Sequence, residues 1–272
     1  MMKRTVLLTG AAGNIGAKLA AHLRREGKYN LRLLDRRAEG DVLGADLAEY
    51  DHAWVRHFDG VDVVLHLAGD PNGNANWASV LRDNVGATQH VLRAAKEAGV
   101  RRVVFASTNQ VMLGYRLKTG PVTVDLPPAP LSPYGISKLM CEQVGRAFHE
   151  ETGADFLAWR IGYFQRGENL PGPHMAIGAW GQSMWLSNRD MLQAAEKSIE
   201  APPFGYAVVY LMSNNLGMRW DIDHTRRVIG YVPLDSAHPQ MEAQNREQDD
   251  TAGRLLVTPG TWLDENFAAV TP

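Results

Sequence analysis

The 272-residue sequence predicts an α/β protein, a Rossmann-type doubly wound parallel sheet carrying a small C-terminal substrate cap. Short β-branched apolar runs alternate with amphipathic helical stretches as far as residue 162, the rhythm of successive β-α-β units. The first run opens directly onto Gly10, Gly13 and Gly16 at the start of a helix. At Gly162 the alternation breaks, dividing residues 1–162 from a cap of residues 163–272 that is too irregular to fold alone.

Thr5-Val6-Leu7-Leu8-Thr9 reads as a buried strand, apolar and stopped by glycine. Ile15, Leu19 and Leu23 then recur every four residues up to Gly27, a helix stop. The three glycines therefore occupy a strand-to-helix turn. Gly10 makes the sharp bend, Gly13 lets backbone N–H groups approach a pyrophosphate, and Gly16 permits close packing of helix on sheet. Asn14 and Ile15 complete this expected dinucleotide site. The next strand, Leu31 to Leu34, ends at Asp35, close to the ~20-residue offset at which a carboxylate binds adenosine ribose hydroxyls. Arg36 and Arg37 offer guanidinium groups to the extra phosphate of NADP, and equally suit solvated loop charges. Asp35 would repel that phosphate, so NAD is favoured over NADP.

A short run from Val42 ends at Asp46-Leu47, and a helical stretch with Trp54, Val55 and Phe58 stops at Gly60. Val61 to Leu67 is the third strong strand. His66 within it reads as a packed strand residue. Ala68 and Gly69 are small enough for a cofactor to lie over the strand end, and residues 70–76 form a polar loop where such sheets bind ligands. A long helix from about Trp77 to Ala98 follows, with Asn84 turned inward and in need of partners. The strand starting at Arg101 then ends in Ser107-Thr108-Asn109-Gln110. Thr108 is placed to hydrogen-bond a reacting oxygen, and Asn109 and Gln110, with Tyr163 beyond the sixth strand, to touch substrate.

Residues 121–133 hold five of the fourteen prolines and read as an irregular lid or strap. Ser132-Pro133-Tyr134 then makes a good helix start, a capping hydroxyl before a proline in the first turn. Tyr134 and Lys138 share one face of that helix, and an ammonium beside a phenol favours the phenolate. Moving a phenol pKa from about 10 to about 7 takes on the order of 4 kcal/mol, which Lys138 and a cationic nicotinamide ring would supply together. Tyr134 would then be a general base. The helix runs to Gly153, and Phe156 to Ile161 is a further strand. The cap is expected to contain a helix from Ser187 to about Glu200, a strand from Ala207 to Leu211, a helix from Trp220 to Ile229 and a mixed final stretch, its tryptophans serving as packing.

Composition narrows the partners. Lys+Arg 28 against Asp+Glu 30 leaves a formal charge of -2, which points away from nucleic acid and anionic membranes. The apolar run after Lys3-Arg4 imitates a signal peptide, but Gly10 and Gly13 end it early, and no stretch approaches the ~18 apolar residues of a membrane span. A lone Cys141 suits a reducing, cytoplasmic compartment. Scattered histidines without ligand spacing argue against a metal site.

Together these motifs resemble the extended short-chain dehydrogenases/reductases, the NAD-dependent epimerase/dehydratase group. The matching residues are Thr9-Gly10, Gly13, Gly16, Asp35, Asp46-Leu47, His66-Leu67-Ala68-Gly69, Asn84-Val85-Gly86, Thr88, Phe105, Ser107-Thr108, Tyr134, Lys138 and Arg160-Ile161, in family order over about the first 165 residues. The resemblance implies Tyr134 as base, Lys138 lowering its pKa and holding the nicotinamide ribose, Thr108 as hydroxyl partner and Asn84 supporting the site. It further implies NAD held by Gly10, Gly13, Asn14, Ile15, Gly16, Asp35, Arg36, Asp46, Leu47, Leu67, Ala68, Gly69 and Ile161, and a homodimer through the Asn84 and Tyr134 helices. Within the group, residues 105–115 most resemble uronate dehydrogenases, which oxidise the anomeric carbon of a hexuronate to a lactone. A nucleotide-sugar epimerase or dehydratase with tightly bound NAD is the alternative, and a non-catalytic dinucleotide sensor a more distant one. The arginine that in uronate dehydrogenases holds the sugar carboxylate has no aligned counterpart here, Arg166 and Arg189 being nearest.

Overall fold

The computed structural model describes residues 3–239 except 117, 176 and 177. Among these residues seven strands form one parallel sheet: β1 (Thr5–Thr9), β2 (Asn30–Asp35), β3 (Val42–Gly44), β4 (Val63–His66), β5 (Arg102–Thr108), β6 (Asp155–Ile161) and β7 (Tyr206–Leu211), in the order β3-β2-β1-β4-β5-β6-β7. The order reverses direction between β1 and β4, opening a crevice at their carboxyl ends.

Strand side chains alternate between two apolar layers. On one face Val6, Leu8 and Val104 pack under α1 (Asn14–Glu26), α7 (Asn188–Glu200) and α8 (Ile222–Ile229). On the other, Leu7, Val64, Val103 and Phe156 pack under α2 (His52–Val55), α4 (Ala87–Glu97) and α5 (Pro133–Thr152). Burial on both faces explains why these strands read as continuous apolar runs. The chain's stops act as expected: Gly27 and Gly153 close α1 and α5 at φ of 64° and 71°.

Two expectations are corrected. The long helix before β5 is not uniform: α3 (Trp77–Ser79) leads into a π-helical segment, Val80–Gly86, before α4 resumes. The wider π turn admits one extra residue and re-aims Asn84. Secondly, β7 was expected in the cap, yet it pairs in parallel with β6 from Phe156↔Tyr206 to Ile161↔Leu211. The sheet therefore extends past residue 162, with α7 packed beside α1. What lies over the strand ends is a smaller assembly. A 3₁₀ segment (Asn109–Tyr115), α6 (Gly178–Ser183) and the proline-rich strap, bridged to the rest through Val122 and Trp220, enclose Met112, Met184, Tyr210 and Met212. Trp180 and Trp220 pack there with ring centroids 4.6 Å apart. The mixed stretch expected beyond residue 239 lies outside the described residues. Among the described residues no helix is long and apolar enough to cross a membrane.

Candidate active site

The turn after β1 is built so tightly that two of its glycines, Gly10 and Gly16, leave no room for a side chain. Gly10 has φ +70°, and a Cβ there would meet the Ala68 nitrogen at 2.7 Å; one on Gly16 would meet the Gly10 carbonyl oxygen at 2.0 Å. Ala68 is drawn in because its N–H donates to Thr9 Oγ1 at 3.2 Å. Asp35 at the end of β2 accepts the Ala12 N–H at 3.0 Å, fixing a carboxylate against the turn. Asn14 opens α1 and donates to the Gln165 carbonyl at 3.1 Å, while Ile15 packs against the core. A bare backbone turn feeding a helix N-terminus, flanked by a carboxylate, suits a dinucleotide's pyrophosphate and ribose.

Beyond the crevice, β5 and α5 bring the candidate catalytic groups together. Ser132 caps α5 by accepting the Gly135 N–H at 3.1 Å, which sets Tyr134 in the first turn. The Thr108 hydroxyl, at the end of β5, pairs with the Tyr134 phenol and accepts the Gln110 N–H at 3.2 Å. Lys138 is buried one turn along, its Nζ 5.8 Å from the Tyr134 ring centroid and 4.9 Å from that of Phe105. Asn84 braces the group. Its Oδ1 accepts the Asp70 N–H at 2.8 Å and its Nδ2 donates to Ser137 Oγ at 3.1 Å, tying the loop after β4 to α5.

Burial dominates the electrostatics of the chain's own groups. Burial pushes the Tyr134 phenol up to about 12; the Thr108 hydrogen bond opposes this and the Asp70 charge adds to it. Burial also lowers the Lys138 ammonium, against the charges of Cys141 and Asp70. In the chain by itself the phenol therefore stays protonated at neutral pH, desolvation being the largest influence on it. His66 behaves as a packed residue: it pairs with Thr9 Oγ1 at 2.7 Å and Thr88 Oγ1 at 3.2 Å, and burial holds its pKa down at about 3.

A family model, the NAD dependent epimerase/dehydratase family, matches residues 6–172, which contain the turn and every one of these groups. The chain belongs to that family. Among its relatives it is 36% identical to the NAD-dependent glucose-6-phosphate dehydrogenase of Haloferax volcanii, over 87% of this chain and 95% of the relative. It is 33% identical to the L-arabinose 1-dehydrogenase (NAD(P)(+)) of the same organism, over 87% and 99%. Uronate dehydrogenase from Agrobacterium tumefaciens, as a mutant complexed with NAD, superimposes with a TM-score of 0.75 at 26% identity, covering 96% of this chain and 92% of that one.

In this epimerase/dehydratase-family protein the remaining expected residues divide. Leu67 and Ala68 line the crevice beside Gly10, and Gly69 is pressed against Asn84, whose Oδ1 would lie 2.5 Å from a Cβ. Arg36 is engaged with Asp83 at 2.8 Å and Asp46 at 3.6 Å, and Arg82 pairs with both acids. Leu47 is buried, its carbonyl bonded to His90. Asn109 is turned away to donate to the Ile161 carbonyl at 3.0 Å, joining the ends of β5 and β6. Gln110 accepts from Ser132 Oγ at 3.2 Å, and Tyr163 packs between the two small apolar clusters of the cap. Arg166 is exposed and Arg189 is paired with Asp235.

Two participants escape the sequence reading. Ser137, three residues after Tyr134, carries the link to Asn84. Glu142, four residues after Lys138, receives Ser107 Oγ at 2.6 Å and the Arg160 guanidinium at 3.0 and 2.8 Å, all buried. Its spacing on the Tyr134–Lys138 face was the available signal.

Proposed function

We propose that this protein is an NAD-dependent dehydrogenase that oxidises a hydroxyl of a sugar or sugar acid, at the anomeric carbon, to a lactone, with Tyr134 as base. The observation that carries this reading is the convergence of Tyr134, Thr108 and the buried Lys138 beside the β1–β4 crevice. The turn at Gly10, Gly13 and Gly16 and the Asp35 carboxylate suit NAD, and relatives named as sugar and sugar-acid dehydrogenases across most of the chain support the substrate class. When bound, NAD supplies the hydride acceptor and a positive ring charge. The Tyr134 phenolate receives the hydroxyl proton, and Thr108 hydrogen-bonds the oxygen as charge develops on it. Lys138 stabilises the phenolate and holds ribose hydroxyls, while Asn84 keeps the β4 loop on α5. Because the chain's own groups hold the phenol protonated at neutral pH, turnover rises toward alkaline pH. Leu81 and Met140 expose apolar side chains on the two helices through which we infer a homodimer.

The test is NADH formation from glucose, arabinose, glucuronate and glucose 6-phosphate, with NAD and NADP side by side, in wild type and Tyr134→Phe. The expected result is turnover with at least one sugar, abolished in Tyr134→Phe while NAD affinity stays nearly unchanged. Undiminished turnover in that variant would refute Tyr134 as the base. Copurifying NAD with no net NADH would favour the epimerase or dehydratase reading instead.

A further inference from the structure

Residues 162–165 run from the reacting end of the site to the dinucleotide turn, and hydrogen bonds fix both ends of that crossing. The segment leaves β6 after Ile161, which pairs with Thr108 of β5 and whose carbonyl accepts from Asn109 Nδ2 at 3.0 Å. Gly162 and Tyr163 then donate their N–H groups to the carbonyls of Leu211 and Met184 at 2.9 and 2.8 Å, tying the start of the segment to β7 and to the cap. At the far end the Gln165 carbonyl accepts from Nδ2 of Asn14, the residue that follows Gly13 and opens α1, at 3.1 Å.

The Asn14 amide is held one way round. Lys18 Nζ donates to Asn14 Oδ1 at 2.8 Å, and because an ammonium only donates, the amide oxygen must face Lys18 and the nitrogen must face Gln165. Lys18 also lies over the Phe164 ring, 5.0 Å from its centroid, and so grips the same segment. Gln165 passes the anchorage onward. Its N–H donates to Asn169 Oδ1 at 2.9 Å, and Asn169 Nδ2 donates to the Leu186 carbonyl at 2.7 Å. Asn14 therefore serves two regions. Its backbone N–H is one of those that a helix N-terminus leaves for an anion, while its side chain holds the segment that starts beside Thr108.

We propose that Asn14 is a positioning residue through which NAD at the turn sets residues 162–165 for the sugar, so that cofactor and sugar strengthen each other's binding. This rests on the reading of the turn as the NAD site and of Thr108 as facing the sugar. The coupling is positive because whatever orders one end of the Asn14–Gln165 bond lowers the ordering cost at the other, and it is reciprocal by linkage. One neutral hydrogen bond sets its size at about fivefold.

Amide hydrogen exchange of the full chain, with and without saturating NAD, tests this with no sugar present. In wild type NAD is expected to slow exchange at residues 10–16 and at residues 162–165 alike. In Asn14→Ala, with NAD raised until calorimetry shows that variant saturated, the slowing at 10–16 is expected to remain and that at 162–165 to be lost. Lys18→Met, which keeps the stem over Phe164 and frees the amide to turn, is expected to lose part of it, and carries the test if Asn14→Ala does not fold. The second readout is kinetic. For the best sugar of the panel above, at saturating NAD, the sugar KM of Asn14→Ala is expected to rise about fivefold and by more than kcat falls, whereas a merely structural role would lower the active fraction and leave KM in place. Slowing at 162–165 that is absent from wild type or undiminished in the variants, or a sugar KM that does not move, would overturn the role of Asn14. Calorimetry that finds no NAD binding to wild type would instead remove the reading beneath it.

Discussion

Removing the Glu142 carboxylate should cost far more than breaking a surface ion pair. Glu142 and Arg160 are 1% and 3% exposed, so solvent cannot take over the role of either partner. The carboxylate accepts from Ser107 Oγ at 2.6 Å and from Arg160 Nε and Nη2 at 3.0 and 2.8 Å. In Glu142→Ala the guanidinium would face the Tyr210 hydroxyl at 3.4 Å while remaining inside the protein. An uncompensated buried charge of this kind costs about 3–5 kcal/mol. Arg160→Met should cost a similar amount by stranding the carboxylate. Glu142→Met combined with Arg160→Met should cost much less than the sum, because neither charge is then left alone. Equilibrium urea unfolding of the single and double variants at pH 7 measures this directly. A double variant that costs the sum of the singles would refute the claim that the two side chains act as a unit joining α5 to β6.

Three further outcomes follow from the same geometry. Asp35→Asn, which removes the negative charge beside the turn, should raise the NADP-to-NAD ratio of kcat/KM by about tenfold; an unchanged ratio would show that Asp35 does not select the cofactor. Gly16→Ala places a Cβ 2.0 Å from the Gly10 carbonyl oxygen, and calorimetric titration should show NAD affinity at least about tenfold weaker, an unchanged affinity counting against the turn as the binding site. His66 has a pKa of about 3 in the folded chain against about 6.5 when unfolded. Below pH 6.5 the unfolded chain therefore takes up a proton that the folded chain refuses, so the stability His66 contributes is full above that pH and declines toward pH 3. His66→Gln should flatten the fall in urea midpoint between pH 7 and pH 5, and an unaltered fall would refute this.

What could be read from the sequence, and what could not, separates along a physical line. Gly10 and Gly16 were legible because the backbone there tolerates no other residue: a positive φ or an approach of 2.0 Å excludes every Cβ. Ser132 before Pro133 was legible for the same reason, its cap being satisfied within three residues. β7 was visible as an apolar run, but its place in the sheet depends on pairing with β6 some fifty residues earlier, which no local pattern records. The π segment leaves no mark on apolar periodicity, since one additional residue in a turn shifts the pattern too little to detect. Thr108 and Asn109 are adjacent polar residues at a strand end, and only the fold decides that one turns toward Tyr134 and the other toward the Ile161 carbonyl. Glu142 and Asp70 look like solvated charges until β5, β6 and α3 bring them their partners. A residue whose role is set by its own backbone can be ranked from sequence. One whose role is to hold a charge opposite a distant strand cannot, and Glu142, paired from α5 with Arg160 on β6, is of the second kind.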